Sequence, residues 1–208
     1  MIDNFEQLNS LLKFESDDDF YMLQIIKRRK ENPDVDRNSS TLKTVYLHRE
    51  NQLMEIKEDL IWLADKNNAR IYLNPNRKSF KKCTCQCLKE FANRISEDNY
   101  HKPYKIFDSV AGSCGSKNPI WLIDIDWNDI SEIFNNTDNN EYLKKTYINK
   151  ICELINTLRP EGNDKVIAQI PTKNGVHILT KPFDVQEFKR WYPTTDIHKN
   201  NPTLVWCN

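Results

Sequence analysis

Two aspartates one residue apart, Asp124 and Asp126, end the apolar run of "NPIWLIDIDWND", residues 118 to 129, and Asp129 follows three positions later. If 121 to 126 is a strand, its side chains alternate. Asp124 and Asp126 then share a face with Leu122, while Trp121, Ile123 and Ile125 share the other. Two carboxylates a pleat apart repel by ~2 to 3 kcal/mol at roughly 5 to 6 Å in an effective dielectric of about 20. A divalent cation removes that cost, and an all-oxygen site suits Mg²⁺ or Mn²⁺ held by one or two carboxylates plus substrate phosphates. The competing account is local: Asp126 caps the following turn and Asp124 pairs with a surface lysine.

About fifty residues on, "PTKNGVHILTKPF" carries His177 beside Lys173 and Lys181. Lysines supply point charges and an imidazole donates a hydrogen bond, a grip for a nucleoside triphosphate. The alternative is a histidine that decorates a hairpin. A second cationic stretch runs through "ARIYLNPNRKSFKK", where Arg70, Tyr72 and Asn74 share the polar face of a short strand and Arg77, Lys78, Lys81 and Lys82 follow. Arg70, Asn74 and Arg77 are the candidates there for contact with template or phosphate, against a solvated helix start.

The elements that must position these groups are legible in outline. "FYMLQIIKRRK" and "TLKTVYLHRE" predict two strands, and Leu53, Ile56, Leu60 and Leu63 predict a helix. Phe80, Cys83, Cys87, Phe91 and Ile95 mark a helix from about 79 to 96. That places Cys83 and Cys87 on its apolar stripe and Cys85 opposite, so core packing is expected rather than zinc. "SVAGSCGSKNP" is expected to be a loop and lacks phosphate-loop spacing. Asp138 and Glu141 are spaced as a capping box for a long helix striped by Leu143, Tyr147, Ile151, Leu154 and Leu158. Asn174-Gly175 predicts a hairpin turn with positive backbone angles, its second strand setting His177, Leu179 and Lys181 on one face. Asp184 with Glu187 reads as the N-cap of a short helix from Val185 to Trp191, and "TLVWC" as the last strand. The fold class expected is mixed α+β, a central, mostly antiparallel sheet covered by helices.

The 208 residues predict one domain over 1–208, its first 20 residues frayed or folded as a short helix. With 30 basic and 30 acidic residues, neither a strongly basic nucleic-acid surface nor an acidic tail shows in the totals, so phosphate binding must come from a local patch. No stretch approaches a membrane span, and "MIDNFEQLNSLLKFESDDDF" has neither the basic start nor the apolar core of a signal peptide. The expectation is a cytoplasmic chain, without a membrane partner, whose six cysteines are free thiols.

An apolar strand ending in Asp-x-Asp, then a helix, then a hairpin bearing Gly175-Val176-His177 with Lys173 before it resembles the catalytic core of the archaeo-eukaryotic primase superfamily, the primase-polymerases. "LIDIDWND", with its later Asp129, is similar to that family's first motif. The resemblance implies Asp124 and Asp126 as metal ligands and His177 as a contact to the incoming nucleotide. The family's third motif is a further acidic residue after an apolar one; Asp196 in "TTDIHKNNPTLVW" is the choice for the third carboxylate, Asp184 being taken as a cap. No counterpart of the zinc-binding module of some relatives is identified. The implied activity is template-directed nucleotidyl transfer with Mg²⁺ or Mn²⁺, nucleoside triphosphates and single-stranded or primed nucleic acid as partners. Two rivals stand beside it: another Asp-x-Asp enzyme, a phosphoesterase or sugar-nucleotide transferase, and a nucleic-acid or protein interaction module without turnover.

Overall fold

The computed structural model of the chain describes residues 1–35, 39–128, 141–162 and 164–208. Asp129 and Asp138 lie outside the described residues. The fold is mixed α+β, as expected, but its strands form two antiparallel sheets in place of one central sheet. Where one domain is expected, the chain divides into two compact units: 1–119 with 202–208, and 120–201.

In the first unit, strands β1 (Ile2–Asp3), β2 (Asp19–Arg28), β3 (Ser39–Leu47), β4 (Arg70–Leu73) and the final β10 (Thr203–Cys207) lie in the order β1-β10-β4-β2-β3, with β5 (Lys78–Ser79) pairing to β2. Both chain ends are thus stitched into one sheet. The first residues are not frayed, because helix α1 (Phe5–Asn9) buries Phe5 and Leu8 completely. Helix α2 (Gln52–Glu55) and α3 (Lys57–Lys66) bury Leu53 and Leu60.

Helix α4 (Phe80–Ser96) starts where Ser79 Oγ accepts the Lys82 N–H at 3.0 Å and Asp18 accepts the Lys81 N–H at 2.7 Å. Cys83 and Cys87 are buried with Phe20, Met22 and Cys114, and Cys85 is exposed. Burial pushes the Cys83 thiol up to about 12, so it packs as an apolar group. Farther along α4, Phe91 and Ile95 are exposed, because the helix outruns the core that its stripe predicts. The segment expected as a loop is helical to Ser113, in α5 (Ile106–Ser113), since Ile106, Val110 and Ala111 recur at helical spacing and are buried. Among the described residues, no helix is long and apolar enough to cross a membrane.

The second unit is a sheet of β7 (Val166–Pro171), β8 (Gly175–Thr180), β6 (Trp121–Asp126) and β9 (Asp196–His198), in that order. One face is closed by α6 (Glu141–Thr157) and α7 (Val185–Trp191). Ile123, Ile125, Val176 and Ile178 from the sheet meet Ile148, Ile151, Ile155 and Phe188 from the helices. Asp184 caps α7, accepting the Gln186 and Glu187 N–H groups at 2.9 and 3.0 Å.

The hairpin is present, but neither Asn174 nor Gly175 takes a positive φ. Glycine is required at 175 for a different reason. A Cβ there would stand 1.8 Å from the Ile125 carbonyl oxygen, so only a residue without a side chain lets β8 pass β6.

Candidate metal and nucleotide site

Strand alternation fixes which side chains meet on the sheet face away from the helices. Ile123, Ile125, Val176, Ile178 and Ile197 all pack into the helix-covered core. Their alternates, Asp124 and Asp126 on β6, His177 and Leu179 on β8, and Asp196 and His198 on β9, therefore point to the other side. Register then aligns them across strands: Asp124 pairs with His177 on one side and with Asp196 on the other. The resulting row reads His177, Asp124, Asp196. Asp126 lies one pleat along, opposite Gly175, and Leu122 lies one pleat the other way, between Leu179 and His198.

Directly opposed carboxylates are unfavourable neighbours in an antiparallel pair. Asp124 retains 44% of its side-chain exposure, and Asp196, on the edge strand, is exposed. His177 is nearly enclosed, with 12% of its side chain exposed and Nε2 3.5 Å from Asp124 Oδ1. Burial, with a smaller contribution from the nearby His198, holds the imidazole down to about 4. Its ring is therefore neutral at pH 7 and the contact with Asp124 is not an ion pair. A neutral ring carries one N–H.

No protein-family model, curated protein or solved structure matches this chain.

Three aspartates on one sheet face offer the hard oxygen ligands that Mg²⁺ or Mn²⁺ takes. Among the described residues, no three His, Cys, Asp or Glu side chains are grouped closely enough to hold a metal ion by themselves. Asp126 Oδ1 accepts the Asn128 N–H at 3.0 Å, so the local cap is realised. The donor set fits a cation that arrives with ligands of its own, since Mg²⁺ is commonly held by one or two carboxylates with substrate phosphates and water completing its shell.

The other site candidates separate sharply. Lys173 is exposed in the hairpin turn, two residues before β8 begins at Gly175. Lys181 lies beyond the opposite end of β8 and gives its ammonium to Asp164. Arg70 is paired with Glu31, and Asn74 is buried, its side-chain oxygen accepting the Asn76 N–H at 2.9 Å. Arg77 reaches Glu15 at 2.8 Å and Asp19 at 3.4 Å. Lys78 is buried, its Nζ donating to the Cys114 carbonyl at 2.8 Å, and burial lowers its pKa. Arg70, Arg77 and Lys78 thus each have an acceptor within the first unit. His198 was not among the candidates; the alternation in Asp196-Ile197-His198 was the available signal.

Proposed function

We propose that the chain is a metal-dependent nucleotidyltransferase of the primase-polymerase type, acting on nucleoside triphosphates and single-stranded or primed nucleic acid. One observation carries it: Asp124 lies between His177 and Asp196 in a single cross-strand row, with Asp126 one pleat along. The order of strand, helix and Gly-Val-His hairpin that resembles the primase-polymerases supports the same reading.

In it, Asp124, Asp126 and Asp196 hold Mg²⁺ or Mn²⁺ together with triphosphate oxygens. The bound cation neutralises phosphate charge and makes an attacking hydroxyl more acidic. His177, neutral, donates its N–H to a phosphate oxygen, and Lys173 offers a charge at the turn. Buried Leu122, Leu179 and Ile170 keep the adjoining surface dry, which strengthens those contacts.

The test is extension of a labelled primer on a single-stranded template with Mn²⁺ or Mg²⁺ and each nucleotide type. Asp124→Ala is expected to lower incorporation ~10³-fold or more, the scale of several kcal/mol of lost charge stabilisation, with an unchanged unfolding midpoint. Extension that survives Asp124→Ala, or none by the wild-type chain, overturns the reading. The cap bond at Asp126 and the lack of a ready three-ligand group favour one alternative, a nucleotide-binding module without turnover. It predicts cation-dependent triphosphate binding and no incorporation. A phosphoesterase or sugar-nucleotide transferase would instead release product without a primer.

A further inference from the structure

We propose that His198 is a second contact to the nucleotide's triphosphate, standing diagonally across Asp124 from His177. This rests on the reading that the aspartate face takes a nucleoside triphosphate.

The placement follows from register. His198 pairs with Leu122 on β6, one pleat from the pair Asp196 and Asp124. Ile197 packs into the helix-covered core, so His198 lies on the same face as the carboxylates. Lys199, the next cation, belongs to the other side, its Nζ 5.0 Å from the Trp121 ring centroid. His198 is therefore the donor that β9 brings to the acidic face.

His177 and His198 occupy opposite corners of the array, on strands either side of β6 and one pleat apart. Strand spacing and rise put their Cα atoms roughly 12 Å apart. Between them the acidic face would supply cation ligands, and each ring would supply a donor to the phosphate chain. Leu122 and Leu179, both buried, fill the rest of the row that His198 ends, so the polar groups of the two rows are His198 and the Asp124 line. Acids alone would repel a triphosphate. Two imidazole donors flanking them hold its ends in register with the cation without adding another carboxylate.

The experiment measures binding of a non-hydrolysable nucleoside triphosphate, and of the matching monophosphate, to the full chain by calorimetry with Mn²⁺ present. His198→Ala is expected to weaken the triphosphate about tenfold and leave the monophosphate affinity unchanged. His198→Gln, which keeps a side-chain N–H, is expected to recover most of the loss, and thermal melts check that both variants fold. Equal triphosphate affinity in wild type and His198→Ala overturns this proposal alone. Equal losses for monophosphate and triphosphate also overturn it, since the contact is then not to the phosphate chain. Failure of the wild-type chain to bind triphosphate with Mn²⁺ overturns the site reading and this proposal together.

Discussion

Arg70, Arg77 and Asp18 in the first unit face Glu31, Glu15 with Asp19, and Ser79 with the Lys81 N–H, groups that complement them. On the face of the 120–201 sheet, Asp124 stands opposite Asp196, with Asp126 one pleat along and a neutral imidazole alongside. Both regions are rich in residues that do chemistry, and both are built from extended segments. In the first, charge is absorbed by opposite charge or by donors and contributes to stability. In the second, carboxylates are brought opposite one another on a single sheet face, an unfavourable cross-strand pairing. Residue type and spacing do not distinguish these cases; partner identity does.

Lys165 gives the largest expected effect, because it shows a complemented charge inside the second unit itself. Its Nζ, with the residue 3% exposed, donates to the carbonyls of Asn156, Leu158, Pro160 and Gly162 at 2.8, 2.8, 2.7 and 3.1 Å. Three N–H groups serve four acceptors, Asn156 in the last turn of α6 and Leu158, Pro160 and Gly162 in the chain that follows it. Lys165→Met should lower unfolding free energy by about 3 kcal/mol, the range for stranding buried polar groups. Urea denaturation reads it as a lower midpoint at unchanged slope. A midpoint equal to the wild type would break the rule that a complemented charge is structural.

Next in size are the arginines expected to touch nucleic acid. Arg70→Ala should cost about 1 to 2 kcal/mol, since it removes charge-assisted hydrogen bonds from the partly covered Glu31 carboxylate, and Arg77→Ala should lower stability by less, because its partner Glu15 is exposed. Neither should alter affinity for a fluorescent primed oligonucleotide, read by anisotropy with Mn²⁺. Weaker binding without lost stability would move Arg77 back to the site and erase the contrast between the regions.

Much of the fold was legible because local signals agreed with tertiary demand. The alternation in β6, the Asp184 cap, the cysteine stripe of α4 and the hairpin all came from period and capping chemistry. Division into two units was not legible, since it depends on the last strand returning to pair with β4, a contact about 130 residues distant. Gly175 was marked correctly for the wrong reason: the sequence shows a glycine after asparagine, and only the fold shows the Ile125 carbonyl beside it. At the site, Asp124, Asp126 and His177 share a face as spacing predicts, and Asp196 joins them through register that no local pattern encodes. Arg70, Arg77 and Lys181 reach acidic neighbours that their spacing did not reveal. Long arginine and lysine side chains look alike in sequence whether they reach a ligand or an internal carboxylate.

The smallest effect separates the regions by sign. Asp196 is exposed on an edge strand and directly opposite Asp124, so Asp196→Asn should remove a like-charge neighbour while keeping the size of the side chain. In EDTA the variant should be more stable than wild type by about 0.5 kcal/mol, within the range for opposed charges in a strand pair. Removing a charge from the first region has the reverse sign, as at Arg70. Mn²⁺ should then invert the order. A cation that binds only the folded chain stabilises it in proportion to the logarithm of its occupancy, and a site lacking one carboxylate gains less. Paired urea titrations of wild type and variant, with EDTA and with Mn²⁺, measure both signs in one experiment. If Asp196→Asn lowers stability in EDTA, Asp196 has a complementary partner as Asp18 does, and the acidic face is a structural surface rather than a site.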